Sequence, residues 1–325
     1  MRIGRPLLKL PIRFCGDALA SEVEALPRAA WIAHPQAFDG NSAVPLVSPG
    51  GAVSHESFGP MASTAALRDC PYILQIMQEL SSTWGRSRLM GLDAGACVPE
   101  HVDIHYYWRT HLRIHIPVVT NPGVEFTCDG QVVHMEAGEC WLLDSFYKHS
   151  VANRGNETRI HLVLDTVGSG NLWDLIEAAK SGSVDSKFVT PNDSAARALD
   201  FEQINAPVIM SPWEIKAHIA YLSEWTDEQP GLRSILATLD RFIMSWTGTW
   251  ARYGISEEGL PSYVRHLDEL RTALPSNEEP RVRMRNGWPL VSSIDRFILI
   301  NAIAPTMLRK MQIETGPIPP VRMTA

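Results

Sequence analysis

Side chains able to do chemistry crowd into one stretch of this chain, residues 101 to 165. It opens with His101-Val-Asp103 and continues through Leu112-Arg113-Ile-His115-Ile-Pro117-Val118. It then reaches Asp144-Ser-Phe-Tyr-Lys-His149 and closes on Arg159-Ile-His161-Leu-Val-Leu-Asp165. On an extended strand residues two apart share a face, so His101 and Asp103 can aim at one point. One imidazole and one carboxylate, joined by a second imidazole, make the facial triad of non-haem Fe(II) sites, which leaves coordination positions open. His149 is the second imidazole in this reading, because Ser150-Val-Ala-Asn153 after it reads as the start of a strand. A His-x-Asp pair alone is common by chance. His105 shares the parity of His101 and Asp103 and competes as a ligand, while His111 and His134 are further candidates without a suitably spaced carboxylate.

The arginines give the histidines their weight. Arg113 and His115 alternate with Leu112, Ile114, Ile116 and Val118, and Arg159 and His161 alternate with Ile160, Leu162 and Leu164. If the aliphatic faces pack against helices, the two guanidiniums point into a barrel interior. A buried guanidinium is costly unless an anion pairs with it, and its planar fork matches a carboxylate bidentately. Two such cations beside a metal suit a small dicarboxylate that chelates the metal at one end. The alternative is that both are structural ion pairs, with Asp144 or Asp165 as partners.

The order of His-x-Asp, Leu-Arg-Ile-His-Ile-Pro-Val, Gly138-Glu-Cys-Trp-Leu-Leu-Asp-Ser-Phe-Tyr-Lys-His149 and Arg159-Ile-His-Leu-Val-Leu-Asp resembles the aspartyl/asparaginyl β-hydroxylase family. Within it, the His-x-Asp form and the spacings look most like the L-proline cis-4-hydroxylase branch. The likeness runs over roughly residues 85 to 167. It implies an α+β protein with a double-stranded β-helix (cupin-like jelly roll) core, flanking helices and a helical C-terminal region. It also implies Fe(II), 2-oxoglutarate and O2 as cofactor and co-substrates. By the same resemblance His101, Asp103 and His149 match the iron ligands. Arg159 matches the holder of the distal 2-oxoglutarate carboxylate, and Arg113 with His115 match the pair near its iron-binding end. Peptide hydroxylases of the family have glycine where Asp103 stands, so this chain departs from them. The carboxylate also argues against a halogenase, which vacates that position.

The rest of the chain must hold these residues in place. The segment 1–13 is basic, broken by Pro6 and Pro11, and reads as an opening strand rather than a signal-peptide core. Residues 17–26 predict a helix capped by Asp17. The stretch 31–59, rich in Pro, Gly, Ser and Asn, reads as a long loop walling the site, with Asn41 and His55 as candidates. A helix over 65–80 starts or kinks at Pro71, and a strand follows at 88–92. Tyr106-Tyr107-Trp108-Arg109 predicts an aromatic rim, with Tyr107 and Trp108 touching substrate and Arg88 or Arg109 taking its carboxylate; Trp141 fits core or pocket equally. From Gly168 the character changes. Residues 171–180 form a short helix, 181–207 are irregular, and Ser211-Pro-Trp-Glu214 is a capping box with Pro at the first helical position. Helical segments follow at 232–246, 261–274 and 291–304, on which His218 and His266 read as structural. The predicted division is an oxygenase domain over 1–167 and a helical region over 168–325, which buttresses the barrel or joins two copies as a homodimer.

The composition agrees. The chain has 325 residues, 45% hydrophobic and 20% charged, and a formal net charge of −7, which disfavours nucleic acid as the main partner. Five cysteines without a CxxC pair suggest reduced thiols in the cytoplasm. No apolar run approaches a membrane span. The function expected is an Fe(II)- and 2-oxoglutarate-dependent dioxygenase that hydroxylates an unactivated C–H of a free amino acid, amino-acid derivative or small peptide, releasing succinate and CO2. The alternatives are a β-hydroxylase of Asp or Asn side chains in a larger peptide, or a non-catalytic cupin-like binding protein.

Overall fold

Runs of aliphatic and β-branched residues build two sheets in a computed structural model that describes residues 3–35, 38–182, 186–192, 198–275 and 281–309. Contacts group Met1–Asp103 with Tyr107–Asn205 in one compact unit and Ile104–Tyr106 with Ala206–Ala325 in a second. Strands and helices of the first unit are, in order, β1 (Leu7–Phe14), α1 (Gly16–Glu24), β2 (Ile32–Ala33), β3 (Asn41–Pro49), β4 (Met61–Ser63), α2 (Ala65–Arg68), α3 (Pro71–Leu80), β5 (Thr83–Leu92), β6 (Cys97–His101), α4 (Tyr106–Thr110) and β7 (Leu112–Val119). They continue with β8 (Val124–Cys128), β9 (Gln131–Val133), β10 (Glu139–Leu143), β11 (His149–Asn153), β12 (Arg159–Gly168), α5 (Gly170–Ser181), β13 (Lys187–Val189) and β14 (Asp200–Phe201). The larger sheet runs β13-β1-β10-β7-β12-β5-β3-β2, and the smaller runs β6-β11-β8-β9. All pairings are antiparallel except β13 on β1 and β14 on β5. This is the α+β jelly roll expected.

Face alternation decides where everything goes. Ile114, Ile116, Leu142, Leu162 and Leu164 turn outward into a core with Leu19 of α1, Ile73, Ile76 and Leu80 of α3, and Leu172 and Ile176 of α5. The opposite face meets the smaller sheet in a second core of Leu92, Leu143, Val124, Phe126 and Val151. Each buried aliphatic side chain contributes roughly 1.5–3 kcal/mol, so a one-residue slip of register, which would turn the arginines into the helix layer, is strongly disfavoured. The aliphatic faces of β7 and β12 therefore pack on helices and their polar faces point inward, as the alternation predicts.

Several local expectations are corrected. Much of the 31–59 stretch read as loop is strand. Residues 43–48 of β3 are all buried, a pattern without alternation that suits a strand covered on both faces, and Pro45 disguises it. The N-cap of α1 is Cys15, not Asp17, and makes no side-chain cap. Pro71 does begin a helix, at its first position, after the separate turn of α2. The boundary between units falls after Asn205 rather than at 167, because α5 packs on β1 and the short strands β13 and β14 extend the larger sheet.

The second unit is helical: α6 (Pro212–Glu224), α7 (Leu232–Tyr253), α8 (Leu260–Ala273) and α9 (Leu290–Ile294), the last running into a π turn. Ser211 caps α6 by accepting from the Glu214 amide at 3.2 Å, with Pro212 in the first turn. The Glu214 carboxylate accepts from the Tyr106 hydroxyl. Trp246 packs on Tyr263 with ring centroids 4.5 Å apart and donates its indole N–H to the Met210 carbonyl. His266 hydrogen-bonds Thr249, and His218 is buried beside Glu214 and Phe297. No helix among the described residues is long and apolar enough to cross a membrane.

Candidate metal centre and anion cavity

His101 is the last residue of β6 and His149 the first of β11, and the two are register partners across the antiparallel pair. Their ring centroids are 4.2 Å apart. Each ring is steered by the carbonyl two residues upstream: His101 Nδ1 donates to Pro99 O at 2.8 Å and His149 Nδ1 to Tyr147 O at 2.9 Å. A carbonyl only accepts, so Nδ1 carries the proton on both rings and Nε2 presents its lone pair to a shared point. Asp103 arrives differently from what strand parity suggests. The strand ends at His101, and the Asp103 amide is fastened by donating to Ser145 O at 3.0 Å. Ligand atoms of His101, Asp103 and His149 all lie within 4.8 Å of one another. Two imidazoles and one carboxylate are the donor set of a facial Fe(II) site, so the residues fit that ion. The competing histidines are elsewhere: His105 is outside the cluster, His111 is held by the Tyr107 carbonyl (2.7 Å) and Glu202 (3.0 Å), and His134 binds Val124 O (2.9 Å).

Arg113 binds carboxylates of the chain itself. Its Nη1 donates to Asp103 at 2.9 Å and its Nε to Asp165 at 2.9 Å, with Trp108 stacked 4.0 Å from the guanidinium. Asp165 stands opposite Arg113 in the β7–β12 register. The ion-pair alternative with Asp165 is therefore what the structure places here, and Arg113 is a clamp on the Asp103 carboxylate rather than a bare cation awaiting a co-substrate. Burial alone would raise the Asp103 pKa, but Arg113, His149 and His101 outweigh it and hold the carboxylate below its ordinary value. Burial pushes His149 down to about 4 against the pull of Asp103, which keeps its imidazole neutral and able to coordinate.

A cavity of about 230 Å³ opens beside these ligands, between the two sheets. Arg159 lies in its wall, 4% exposed, with no ion pair or hydrogen bond among the described residues. Burial lowers its pKa to about 9. His115 is in the same wall, and neither of its ring nitrogens has a hydrogen-bond partner among the described residues; burial, then Arg113 and Arg159, push it well below the ordinary histidine value. Buried polar groups are nearly always satisfied, so a bare guanidinium and a bare neutral imidazole beside the triad suit an incoming carboxylate. Arg88, in the same cavity, is also buried without an ion pair or hydrogen bond among the described residues, and burial followed by Arg86 and Arg113 lowers its pKa.

The substrate-side candidates divide. Trp108, Asn41 and Arg88 line the cavity; Tyr107 and Arg109 do not. Tyr107 is fully buried behind the wall, stacked on His111 at 3.7 Å and accepting from the Arg86 amide at 2.8 Å. Its close approach is allowed by Gly85, where a Cβ would lie 2.6 Å from the Tyr107 hydroxyl oxygen. Trp141 donates to Glu139 and is outside the cavity. His55 does not line it either, but packs edge-on to His34, which does, with centroids 5.9 Å apart. Arg86 was not anticipated. It lines the cavity, donates to the His55 carbonyl at 2.8 Å, stacks on Trp108 at 4.7 Å and comes within 3.9 Å of Asp165. Its parity with Arg88 on one strand was the available signal.

Comparison with known proteins follows this geometry. The family profile described as aspartyl/asparaginyl β-hydroxylase matches residues 45–168, from β3 to the end of β12. An L-proline cis-4-hydroxylase of Rhizobium meliloti is 30% identical over 115 residues, 35% of this chain and 40% of that protein's length. Among solved structures, a 2OG-Fe(II) oxygenase family oxidoreductase of Burkholderia pseudomallei is similar at TM-score 0.35 and 13% identity, covering 48% of this chain and 79% of that one. A prolyl-4-hydroxylase of Pseudomonas putida is similar at TM-score 0.35 and 12% identity, covering 50% and 92%. The stretch that carries the histidine–carboxylate cluster and the buried arginines is thus the part of the chain that is similar to the aspartyl/asparaginyl β-hydroxylase family, and the chain spans less than half the length of the proline hydroxylase it matches.

Proposed function

We propose that this chain is an Fe(II)- and 2-oxoglutarate-dependent dioxygenase that hydroxylates an unactivated C–H of a small amino-acid-like molecule. The observation that carries the reading is the bare, buried Arg159 in the same cavity as the His101–Asp103–His149 cluster. Iron bound there would supply oxygen activation, coupled to conversion of 2-oxoglutarate to succinate and CO2 and transfer of one oxygen atom to the substrate. The chain's own residues do the rest. His101, Asp103 and His149 would hold the ion. Arg159 takes the far carboxylate of 2-oxoglutarate, and His115 donates toward its metal-binding end. Arg113, itself held by Asp165, donates directly to Asp103, so the carboxylate keeps its orientation. Phe126, Leu143, Val151 and Val163 line the remaining wall and exclude water.

A cavity of about 230 Å³ is below the roughly 300–1,000 Å³ usual for ligand pockets. Shared with 2-oxoglutarate, it favours a small substrate over an Asp or Asn side chain presented by a larger peptide. Arg88 is the anchor for the substrate's carboxylate. The test is an anaerobic titration of Fe(II) and 2-oxoglutarate into the folded protein, following the weak visible charge-transfer band of the chelated complex. The band should form in wild type and be lost in His101→Ala. A folded protein in which neither shows it would sink the proposal.

A further inference from the structure

The cavity is more cationic than an iron and a 2-oxoglutarate dianion require. Four guanidiniums, Arg86, Arg88, Arg113 and Arg159, stand in its wall, and among the described residues lining it Asp103 is the only carboxylate. Asp165 compensates from behind, consumed by Arg113 at 2.9 Å and shared with Arg86 at 3.9 Å. Four guanidiniums against two carboxylates leave an excess of two positive charges, and a divalent iron and doubly negative 2-oxoglutarate cancel one another. The excess falls at the Arg86–Arg88 end, because Arg113 is paired and Arg159 faces the co-substrate.

A zwitterionic amino acid does not relieve that excess. Its carboxylate would satisfy Arg88, but its ammonium would enter a site whose one carboxylate is engaged with the metal ligands and Arg113. Outside the triad, the uncharged polar side chains in the wall are Asn41, His34, Trp108 and His115, the last of them on the co-substrate side, and none supplies an anion. His34 already reports what a cation meets there: burial pushes it down to about 4, and Arg88, His55, Arg86 and Arg113 all press in the same direction. A charge buried without a partner is among the costliest mismatches a site can impose.

We infer that the primary substrate is a small carboxylate with no cationic nitrogen, one whose nitrogen, where present, is acylated. This rests on the proposed co-substrate reading and narrows it. The test uses the full-length protein loaded anaerobically with Fe(II) and 2-oxoglutarate. Three matched series are titrated while the charge-transfer band is followed: free amino acids, their N-acetyl derivatives, and the N-acetyl amides that lack the carboxylate. N-acetyl acids should perturb the band at concentrations at least about tenfold lower than the parent amino acids, with the amides silent. Arg88→Gln should weaken the N-acetyl acids by about 10–100-fold, the size of a lost charge-assisted hydrogen bond. Arg88→Lys should retain part of the preference. Free amino acids that match or beat their acetylated forms would overturn the inference and leave the proposed function standing. So would amides as effective as acids, or no response from any series. If the band never forms, the co-substrate reading fails and takes this inference with it.

Discussion

Replacing Arg159 with glutamine should move two measurable quantities in opposite directions. In the protein without 2-oxoglutarate, Arg159 is 4% exposed and has no anionic partner among the described residues. An unpaired buried ion costs several kcal/mol even after relaxation. The glutamine loses part of the aliphatic stem's packing, so we expect a net gain of about 1–2 kcal/mol, or roughly 2–8 °C in Tm. The co-substrate feels the reverse. A bidentate guanidinium–carboxylate pair comprises two charged hydrogen bonds of about 1.5–3 kcal/mol each. Losing about 3 kcal/mol weakens binding by at least about 100-fold. Thermal melts of the ligand-free protein measure the first quantity, and anaerobic 2-oxoglutarate titration at fixed Fe(II) measures the second. Unchanged 2-oxoglutarate affinity would refute the assignment. A lowered ligand-free Tm with unchanged affinity would show that Arg159 is a structural cation whose partner lies within the chain.

Arg113→Lys should lower metal affinity by about 10–100-fold, the usual effect of removing a group that orients a ligand, because one ammonium cannot span Asp103 and Asp165 as the guanidinium does; Co(II) titration of the folded variant measures it. Gly85→Ala should cost about 1–3 kcal/mol of stability by overpacking, since the new Cβ meets the Tyr107 hydroxyl and the His111 ring, and a thermal melt reads it directly. Glu139 supplies a pH test. Burial would raise its pKa, but Lys9, the Trp141 indole N–H and the Glu136 amide outweigh burial and depress it. A depressed carboxylate stabilises the fold above its unfolded pKa, roughly 4.3, and loses that contribution as pH falls through the folded value. Glu139→Gln should therefore cost about 1 kcal/mol at neutral pH, with the gap from wild type closing in acid; a gap that persists at low pH would contradict this.

The clustering of His101, Asp103 and His149 was legible because the motif puts two of them one residue apart in sequence, and the polar faces of β7 and β12 because alternation has a fixed period. What escaped depends on pairing and rotation. The geometry that brings Asp165 to Arg113 is a register between distant strands, so the sequence could offer Asp165 only as an alternative beside Asp144. Tyr107, Trp108 and Arg109 looked like one rim, but they lie on the short helix α4. Successive helical residues diverge by about 100°, so Trp108 faces the cavity while its two neighbours do not. The buried strand β3 was hidden by Pro45 and by its lack of alternation. Arg86 shares the face of Arg88 and could have been found from that strand alone.

The direct pairing of His101 with His149 makes the candidate metal site a property of register. Both histidines lie at strand ends of the smaller sheet, and each takes its tautomer from the carbonyl two residues before it. A slip of one residue between β6 and β11 would send one imidazole to the opposite face and leave the other with Asp103 alone. Any ion held by the intact trio is then bound only by the correctly paired sheet. Its binding energy adds to that pairing through linkage. Metal loading would raise the cost of opening the β6–β11 pair more than that of opening the larger sheet, and amide hydrogen exchange along these two strands would read out the metal.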